Sequence, residues 1–161
     1  MDQLSVPQVD PPRGIYSVKI DDKGRLKLPA DMLNYLKALS EKRVFCTTID
    51  MVTGKFYTTK AWNENKKVIA DVPPEKKKAA NQILFLANAM GADAEPDESG
   101  RTLIPAEVRD KLQINNAKVY LESTAPGVIT FYSEPTYEER KRQALEGLQE
   151  KVEYLESIGL T

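Results

Sequence analysis

The sequence predicts an α+β fold made of two copies of one structural unit that share a single core. The first observation is a repeat. Residues 21–30 read Asp-Asp-Lys-Gly-Arg-Leu-Lys-Leu-Pro-Ala and residues 97–106 read Asp-Glu-Ser-Gly-Arg-Thr-Leu-Ile-Pro-Ala, which indicates a duplicated unit. The second observation is size, because each half has about 80 residues, and units that small rarely build a core alone. The third is that strand and helix patterns alternate in both halves.

The elements of the first copy follow from β-branched runs, turn residues and apolar spacing. Asp21 and Gly24 bound a tight turn, because Asp bonds its own backbone and Gly supplies a positive φ. Leucines at 33, 36 and 39 predict the buried stripe of a helix. The predicted elements are strands at 15–20, 25–28, 44–49 and 55–59, a turn at Thr53-Gly54, and helices at 29–39 and 61–69.

A linking helix is the clearest pattern of the chain, and the second copy follows it. The apolar face predicted for this helix, 75–90, consists of Ala79, Ile83, Leu86, Ala87 and Met90. Gly91 suits the C-terminal cap of the helix. The second copy is predicted to have strands at 92–95, 101–104, 118–122 and 128–132, turns at 96–100 and 125–127, and a helix at 106–112.

A final helix is predicted from Pro135 to about residue 158. Its apolar residues have a heptad-like spacing and are Leu145, Leu148, Val152 and Leu155. This stripe has two interpretations: it docks on its own protomer, or it packs on a neighbouring subunit and helps to close a ring.

The chain therefore divides into five segments. Three prolines and no periodicity predict a flexible arm at the N-terminus. The predicted segments are the arm at 1–13, the first repeat at 14–65, the linking helix at 66–90, the second repeat at 91–135 and the C-terminal helix at 136–161.

Composition restricts the function classes. Lys and Arg number 23, Asp and Glu number 24, and the net charge is −1, so a nucleic-acid site would need local clustering of cations. Histidine is absent, which removes the commonest general base and transition-metal ligand. We therefore expect no enzyme activity, metal, cofactor or small-molecule substrate. Cys46 is the single cysteine, and no apolar run approaches the ~18 residues of a membrane span, so we expect a cytoplasmic protein.

The first repeated loop is the candidate binding site. Lys23, Arg25 and Lys27 alternate along the chain, so all three can point to one face of a strand. Arg can clamp a phosphate or read guanine, and Lys adds a mobile charge. A strand tip of this kind can enter the major groove. In the second copy, where Ser and Leu replace the lysines, Arg101 remains as the candidate contact.

The repeated Asp and Gly residues are predicted to shape the turns rather than to bind. They are Asp21 and Gly24 in the first copy, and Asp97 and Gly100 in the second. A purely structural alternative is that Asp21 pairs with Arg25 across the turn and that the glycine only satisfies the backbone geometry.

At these residues the chain resembles the MraZ family, regulators of the bacterial division and cell-wall gene cluster within the SpoVT/AbrB group of swapped-hairpin transcription factors. Residues 21–30 and 97–106 resemble its paired D-x-x-G-R loops. Residues 14–20 resemble its opening strand, Phe56-Tyr57 with Trp62 resembles its Leu-Tyr-Pro…Trp segment, and residues 83–89 resemble its central helix.

The resemblance implies two tandem swapped-hairpin β units that clasp each other as a pseudo-dimeric β-barrel core. It also implies a homo-oligomeric ring, associated with the nucleoid, whose loops bind direct repeats in promoter DNA. The alternative is a ring-forming scaffold or protein-interaction module of the same fold that does not bind DNA. The net charge and the second loop, which has fewer cations, favour that alternative.

Overall fold

The computed structural model describes residues 9–161 and has an α+β architecture, which confirms the predicted class. The strands are β1 (Ile15–Lys19), β2 (Arg25–Lys27), β3 (Val44–Thr47), β4 (Gly54–Tyr57), β5 (Ala92–Ala94), β6 (Arg101–Leu103), β7 (Lys118–Ala125) and β8 (Val128–Ser133). The helices are α1 (Ala30–Ala38), α2 (Thr59–Ala70), α3 (Lys77–Met90), α4 (Ala106–Leu112), α5 (Glu134–Leu145) and α6 (Leu148–Ser157). A single 3-10 turn, Pro74–Lys76, precedes α3.

The N-terminal arm predicted over 1–13 falls largely outside the described residues. Positions 9–13 belong to no helix or strand. None of the helices in residues 9–161 has the length and apolar character that a membrane span requires.

The two copies are joined strand by strand. One antiparallel sheet has the order β1-β7-β8-β4-β3-β5, and β2 pairs with β6 in a separate two-stranded ribbon. Four of these pairings, β1–β7, β4–β8, β3–β5 and β2–β6, join one copy to the other. Because β1 and β5 are the edges of the larger sheet, its ladder does not close into the predicted barrel within residues 9–161.

The core lies between the strands of both copies, as the small size of each half predicts. Leu26 and Leu28 from the first copy pack with Ile104 and Val108 from the second. Across the larger sheet, the rings of Phe56 and Phe131 lie 5.0 Å apart and are almost fully buried. Neither half could bury these side chains without the other.

Two glycines, Gly54 and Gly91, lie where a side chain would clash, and the first of them changes a local prediction. The β3–β4 turn lies at 50–53 and not at Thr53-Gly54, because the Asp50 carboxylate accepts N–H bonds from Val52 and Thr53. Gly54 instead lies in β4, where a Cβ would be 1.9 Å from Cζ of Phe131. Gly91 is the C-terminal cap of α3, as predicted, and its N–H donates to the Ala87 carbonyl. Its backbone is extended at φ −98°, and a Cβ there would lie 2.7 Å from that carbonyl oxygen.

The helices differ from their predicted apolar faces. In α1, Met32, Tyr35 and Leu36 are buried, while the predicted Leu33 and Leu39 are only half-buried. In α3, Ala87 is the buried member of the predicted face, whereas Ile83 and Leu86 remain exposed. The 3.6-residue period placed the apolar side chains of α3 on one face correctly, but most of that face is open in the protomer.

The predicted single C-terminal helix is wrong. Gly147 has φ 61° and separates α5 from α6. Leu145, Leu148 and Leu155 are all exposed, so the apolar stripe does not dock on its own protomer. Glycine is a poor helix former, and a Cβ placed at Gly147 would meet nothing within 4 Å.

Candidate functional site

The first repeated turn is held together by the Asp21 side chain. Its Oδ1 accepts the N–H groups of Lys23 and Arg25, both at 2.9 Å. The bond from the Arg25 N–H is the main cause that lowers the pKa of the Asp21 carboxyl. Gly24 donates its N–H to the Asp21 carbonyl at 3.0 Å and has φ 82°, a conformation that glycine adopts without strain.

The second turn repeats this pattern. Oδ1 of Asp97 accepts the N–H groups of Ser99 at 3.0 Å and Arg101 at 2.8 Å. The Ser99 hydroxyl also donates to Asp97 and is the main cause that lowers the pKa of that carboxyl. Gly100 donates to the Asp97 carbonyl at 2.9 Å and has φ 92°. Both turns are therefore held by hydrogen bonds to their Asp residue, with glycine at the position of positive φ.

Each turn also accepts a backbone hydrogen bond from the other copy of the repeat. The Gly24 carbonyl accepts the N–H of Ile104, and the Gly100 carbonyl accepts the N–H of Leu28, both at 2.9 Å. These bonds close the ends of the β2–β6 ribbon, so the conformation of each turn depends on the other copy.

The ribbon gathers the predicted cations on one outer face. Its register pairs Arg25 with Leu103, Leu26 with Thr102, and Lys27 with Arg101. Leu26 and Thr102 are buried. Because paired residues share a face and successive residues alternate, the other four side chains lie together on the opposite, outer face.

This outer face is an arrangement suited to an anion. Lys27 lies directly opposite Arg101, and like charges in that position repel each other. Both side chains are exposed, as is Lys23 at the tip of the first turn. A phosphate placed over the ribbon would offset the repulsion and accept several charge-assisted hydrogen bonds.

The ion pair between Asp21 and Arg25, which the structural alternative predicts, is present, but it engages only Nε of the Arg25 guanidinium. Arg25 Nε lies 3.1 Å from Asp21 Oδ2, and the two side chains are 36% and 35% exposed. Such exposed pairs contribute only about 0–1 kcal/mol. Within residues 9–161, the two Nη groups of Arg25 have no hydrogen-bond acceptor, so the pair orients the guanidinium and leaves these donors for another partner.

Arg109 is a site residue that the sequence analysis missed. Its guanidinium lies over Gly24, where a Cβ would be 2.5 Å from Cζ, and its Nε donates to the Ile104 carbonyl at 2.9 Å. At the second turn the corresponding position over Gly100 is occupied by Leu33, whose Cδ2 would lie 3.4 Å from a Cβ placed on Gly100. Leu33 follows Gly24 by nine residues, as Arg109 follows Gly100, so the repeat itself was the signal.

The two turns consequently differ in charge although their backbones match. The first turn and its strand carry Lys23, Arg25 and Lys27 against Asp21 and Asp22, with Arg109 alongside. The second carries Arg101 against Asp97 and Glu98, with Leu33 alongside. The positive charge of the ribbon is therefore concentrated towards the first turn. No group of three or more acidic, Cys or His side chains in residues 9–161 is placed to hold a metal ion.

Comparisons with known proteins identify relatives along most of this chain. It is 31% identical over 105 residues to the transcriptional regulator MraZ of Acidobacterium capsulatum, which covers 63% of this chain and 69% of that protein. It is 30% identical over 106 residues to the MraZ of Koribacter versatilis, with the same coverage. With the MraZ of Caldanaerobacter subterraneus subsp. tengcongensis it shares 27% identity over 148 residues, 91% of this chain and 98% of that protein. No protein-family model matches.

Proposed function

Because this chain belongs to the MraZ family of transcriptional regulators, we propose that it is a sequence-specific DNA-binding regulator that uses the outer face of the β2–β6 ribbon. Lys23, Arg25 and Lys27 make the main contacts, and Arg101 adds to them. The observation that carries the proposal is the ribbon register, which brings cations from both copies of the repeat onto one exposed surface.

The contacts have different roles. Arg25 is held by Asp21 with its Nη groups available, which suits bidentate contact to a phosphate or a guanine. Lys23 and Lys27 are exposed point charges on either side of it, which suits phosphate neutralisation. A two-stranded ribbon is narrow enough for the major groove of B-DNA.

The proposed regulator assembles into a ring and binds repeated sites in promoter DNA. The cross-copy pairing of β1–β7, β4–β8 and β3–β5 supports a swapped-hairpin pseudo-dimer, with repeats at 14–65 and 91–135 joined by the linking segment 66–90. A ring of such chains displays many weakly binding loops, and multivalency raises their overall affinity. The target is a set of direct repeats in the promoter of a division and cell-wall gene cluster.

A gel-shift titration tests the DNA contact. The probe is a duplex of the promoter upstream of the chain's own gene. Replacing Arg25 with Ala should weaken binding by about 1–3 kcal/mol per contact, roughly five- to 160-fold in Kd, while the oligomeric mass stays the same. The matched control is Lys66→Ala, an exposed cation on α2, a helix that packs on α3, β3 and β4 rather than on the ribbon. Equal affinity of the two variants would refute the assignment.

A second function, a scaffold of the same fold that does not bind DNA, is favoured by one observation. The second turn has two carboxylates for its one arginine, and Leu103 lies exposed on the same outer face. A protein partner would tolerate this mixture better than a nucleic acid would. Wild-type protein that assembles but does not shift the promoter duplex, even at low salt, would support the scaffold.

A further inference from the structure

Two helices carry apolar stripes that the protomer leaves uncovered. On α3, Ile83 and Leu86 are 40% and 41% exposed, and Phe85 beside them is 69% exposed. On α6, Leu148 and Leu155 are 47% and 44% exposed. Monomeric proteins rarely leave contiguous apolar surface of this kind in water, so both stripes mark surfaces that take a partner.

The α3 stripe is one wall of an open groove. The groove is mostly apolar and is lined by Val72, Lys76, Ala79, Ala80, Gln82, Ile83, Phe85 and Leu86. Ala79 and Ala80 are small side chains beside the larger Ile83, Phe85 and Leu86 on the same helix, so small and large side chains alternate on this surface. Ridges and grooves of this kind are what helix packing requires.

Helix α6 has the matching stripe and no partner. Leu148, Val152 and Leu155 share the i, i+4, i+7 spacing of Ala79, Ile83 and Leu86. Among the elements of residues 9–161, α6 has no packing partner beyond isolated contacts. A helix of ten residues is marginal alone in water, so α6 needs a surface that covers its stripe.

The charges beside the two stripes are complementary. The start of α3 carries three consecutive cations, Lys76, Lys77 and Lys78. Helix α6 carries three carboxylates and one cation: Glu150, Glu153, Glu156 and Lys151. All these residues are exposed, so opposite charges would meet at the rim of an apolar contact between the helices, which steers association and fixes register.

We infer that α6 of one protomer docks into the α3 groove of a second copy of this chain. The protomer's own α6 does not pack on its own α3, yet the chain carries both halves of the contact. Such a head-to-tail contact is heterologous, and it closes a ring or continues as a filament. The inference rests on the assembly part of the proposed function and does not depend on the DNA contact at the ribbon.

Light scattering after size exclusion tests this contact through two interface variants of the full chain. Leu155→Asp places a carboxylate in the apolar stripe of α6, and Ile83→Asp places one in the groove on α3. Each should elute at or near the single-chain mass of 18.1 kDa, whereas the wild type should elute as a multimer. The matched control is Leu103→Asp, at a position on the ribbon that is 50% exposed, slightly more than Leu155 and Ile83, and this variant should keep the multimeric mass.

Mixing the two variants makes the test specific. Leu155→Asp keeps its groove and Ile83→Asp keeps its α6, so a mixture should form a complex of two chains, although neither variant associates alone. Circular dichroism checks that each variant keeps its strands, and Leu148→Asp with Phe85→Asp provides a second pair if either variant fails to fold.

Three results would overturn the inference: a monomeric wild type, an unchanged multimer in both variants, or folded variants that do not combine on mixing. The DNA assignment fails separately, because Arg25→Ala should weaken binding of the promoter duplex while its mass is retained, and an unchanged affinity would refute that assignment alone.

Discussion

Replacing Gly24 with Ala should destabilise the protein more than the same change at Gly14. Both glycines have positive φ, 82° and 93°, and an L-residue there costs about 1–2 kcal/mol. At Gly14 a Cβ meets nothing within 4 Å, whereas at Gly24 it would lie 2.5 Å from Cζ of Arg109. The guanidinium must move and give up its bond to the Ile104 carbonyl, which adds about 0.5–1.5 kcal/mol.

Urea unfolding followed by far-ultraviolet circular dichroism gives these free energies, at one protein concentration because assembly shifts apparent stability. We expect a loss of about 1.5–3.5 kcal/mol for Gly24→Ala and about 1–2 kcal/mol for Gly14→Ala. Arg109→Ala completes a double-mutant cycle. In that background Gly24→Ala should cost no more than Gly14→Ala does, because the obstructing group is gone.

Two outcomes of this double-mutant cycle would refute the role given to Arg109. If Gly24→Ala costs the same with and without Arg109, the guanidinium does not lie against the turn. If it costs no more than Gly14→Ala in the wild-type chain, the bond to Ile104 does not contribute to the closure of the ribbon.

Two further perturbations test the turns and the core. Hydrogen bonds to the carboxylates of Asp21 and Asp97 lower their pKa values below the ordinary 3.8. The stability that these groups contribute is therefore present above pH 3.8 and is lost as the pH falls through the folded-state pKa. Thermal unfolding from about pH 5 downward should show a weaker acid dependence in Asp97→Asn, and an unchanged dependence would contradict the assignment. Gly54→Ala should lose about 1–3 kcal/mol or more in urea unfolding by overpacking, since its Cβ would lie 1.9 Å from the buried Phe131 ring, and wild-type stability in this variant would mean that the ring has room to move.

Local structure was predictable wherever residues a few positions apart determine it. The repeated Asp-x-x-Gly-Arg turns, the helix over 106–112 and most of the strands have the expected positions, because turn chemistry and periodicity are local. The turn at 50–53 was missed because the Thr53-Gly54 pair is a turn signal by composition, whereas Asp50 determines the turn through hydrogen bonds.

Properties that depend on contacts across the chain were less predictable. Periodicity shows that Ile83 and Leu86 share a face, but it does not show what covers that face. The heptad-like spacing of Leu148 and Leu155 predicted one long helix, whereas Gly147 adopts a left-handed backbone that interrupts it, and a Cβ there would meet nothing within 4 Å. Only part of the cation arrangement could be predicted. The alternation of Arg25 and Lys27 along one strand is local, whereas the position of Arg101 opposite Lys27 depends on the β2–β6 register.

The dependence of promoter binding on salt is the measurement that tests the central claim most directly. Fluorescence anisotropy gives Kd for wild type and for four variants, in each of which Lys23, Arg25, Lys27 or Arg101 is replaced by Ala. If the outer face of the ribbon neutralises phosphates, log K for the wild type falls steeply with log salt, and each lost phosphate contact reduces the slope by about 0.9. A wild-type affinity that does not change with salt, or four variants with the wild-type slope, would contradict the account.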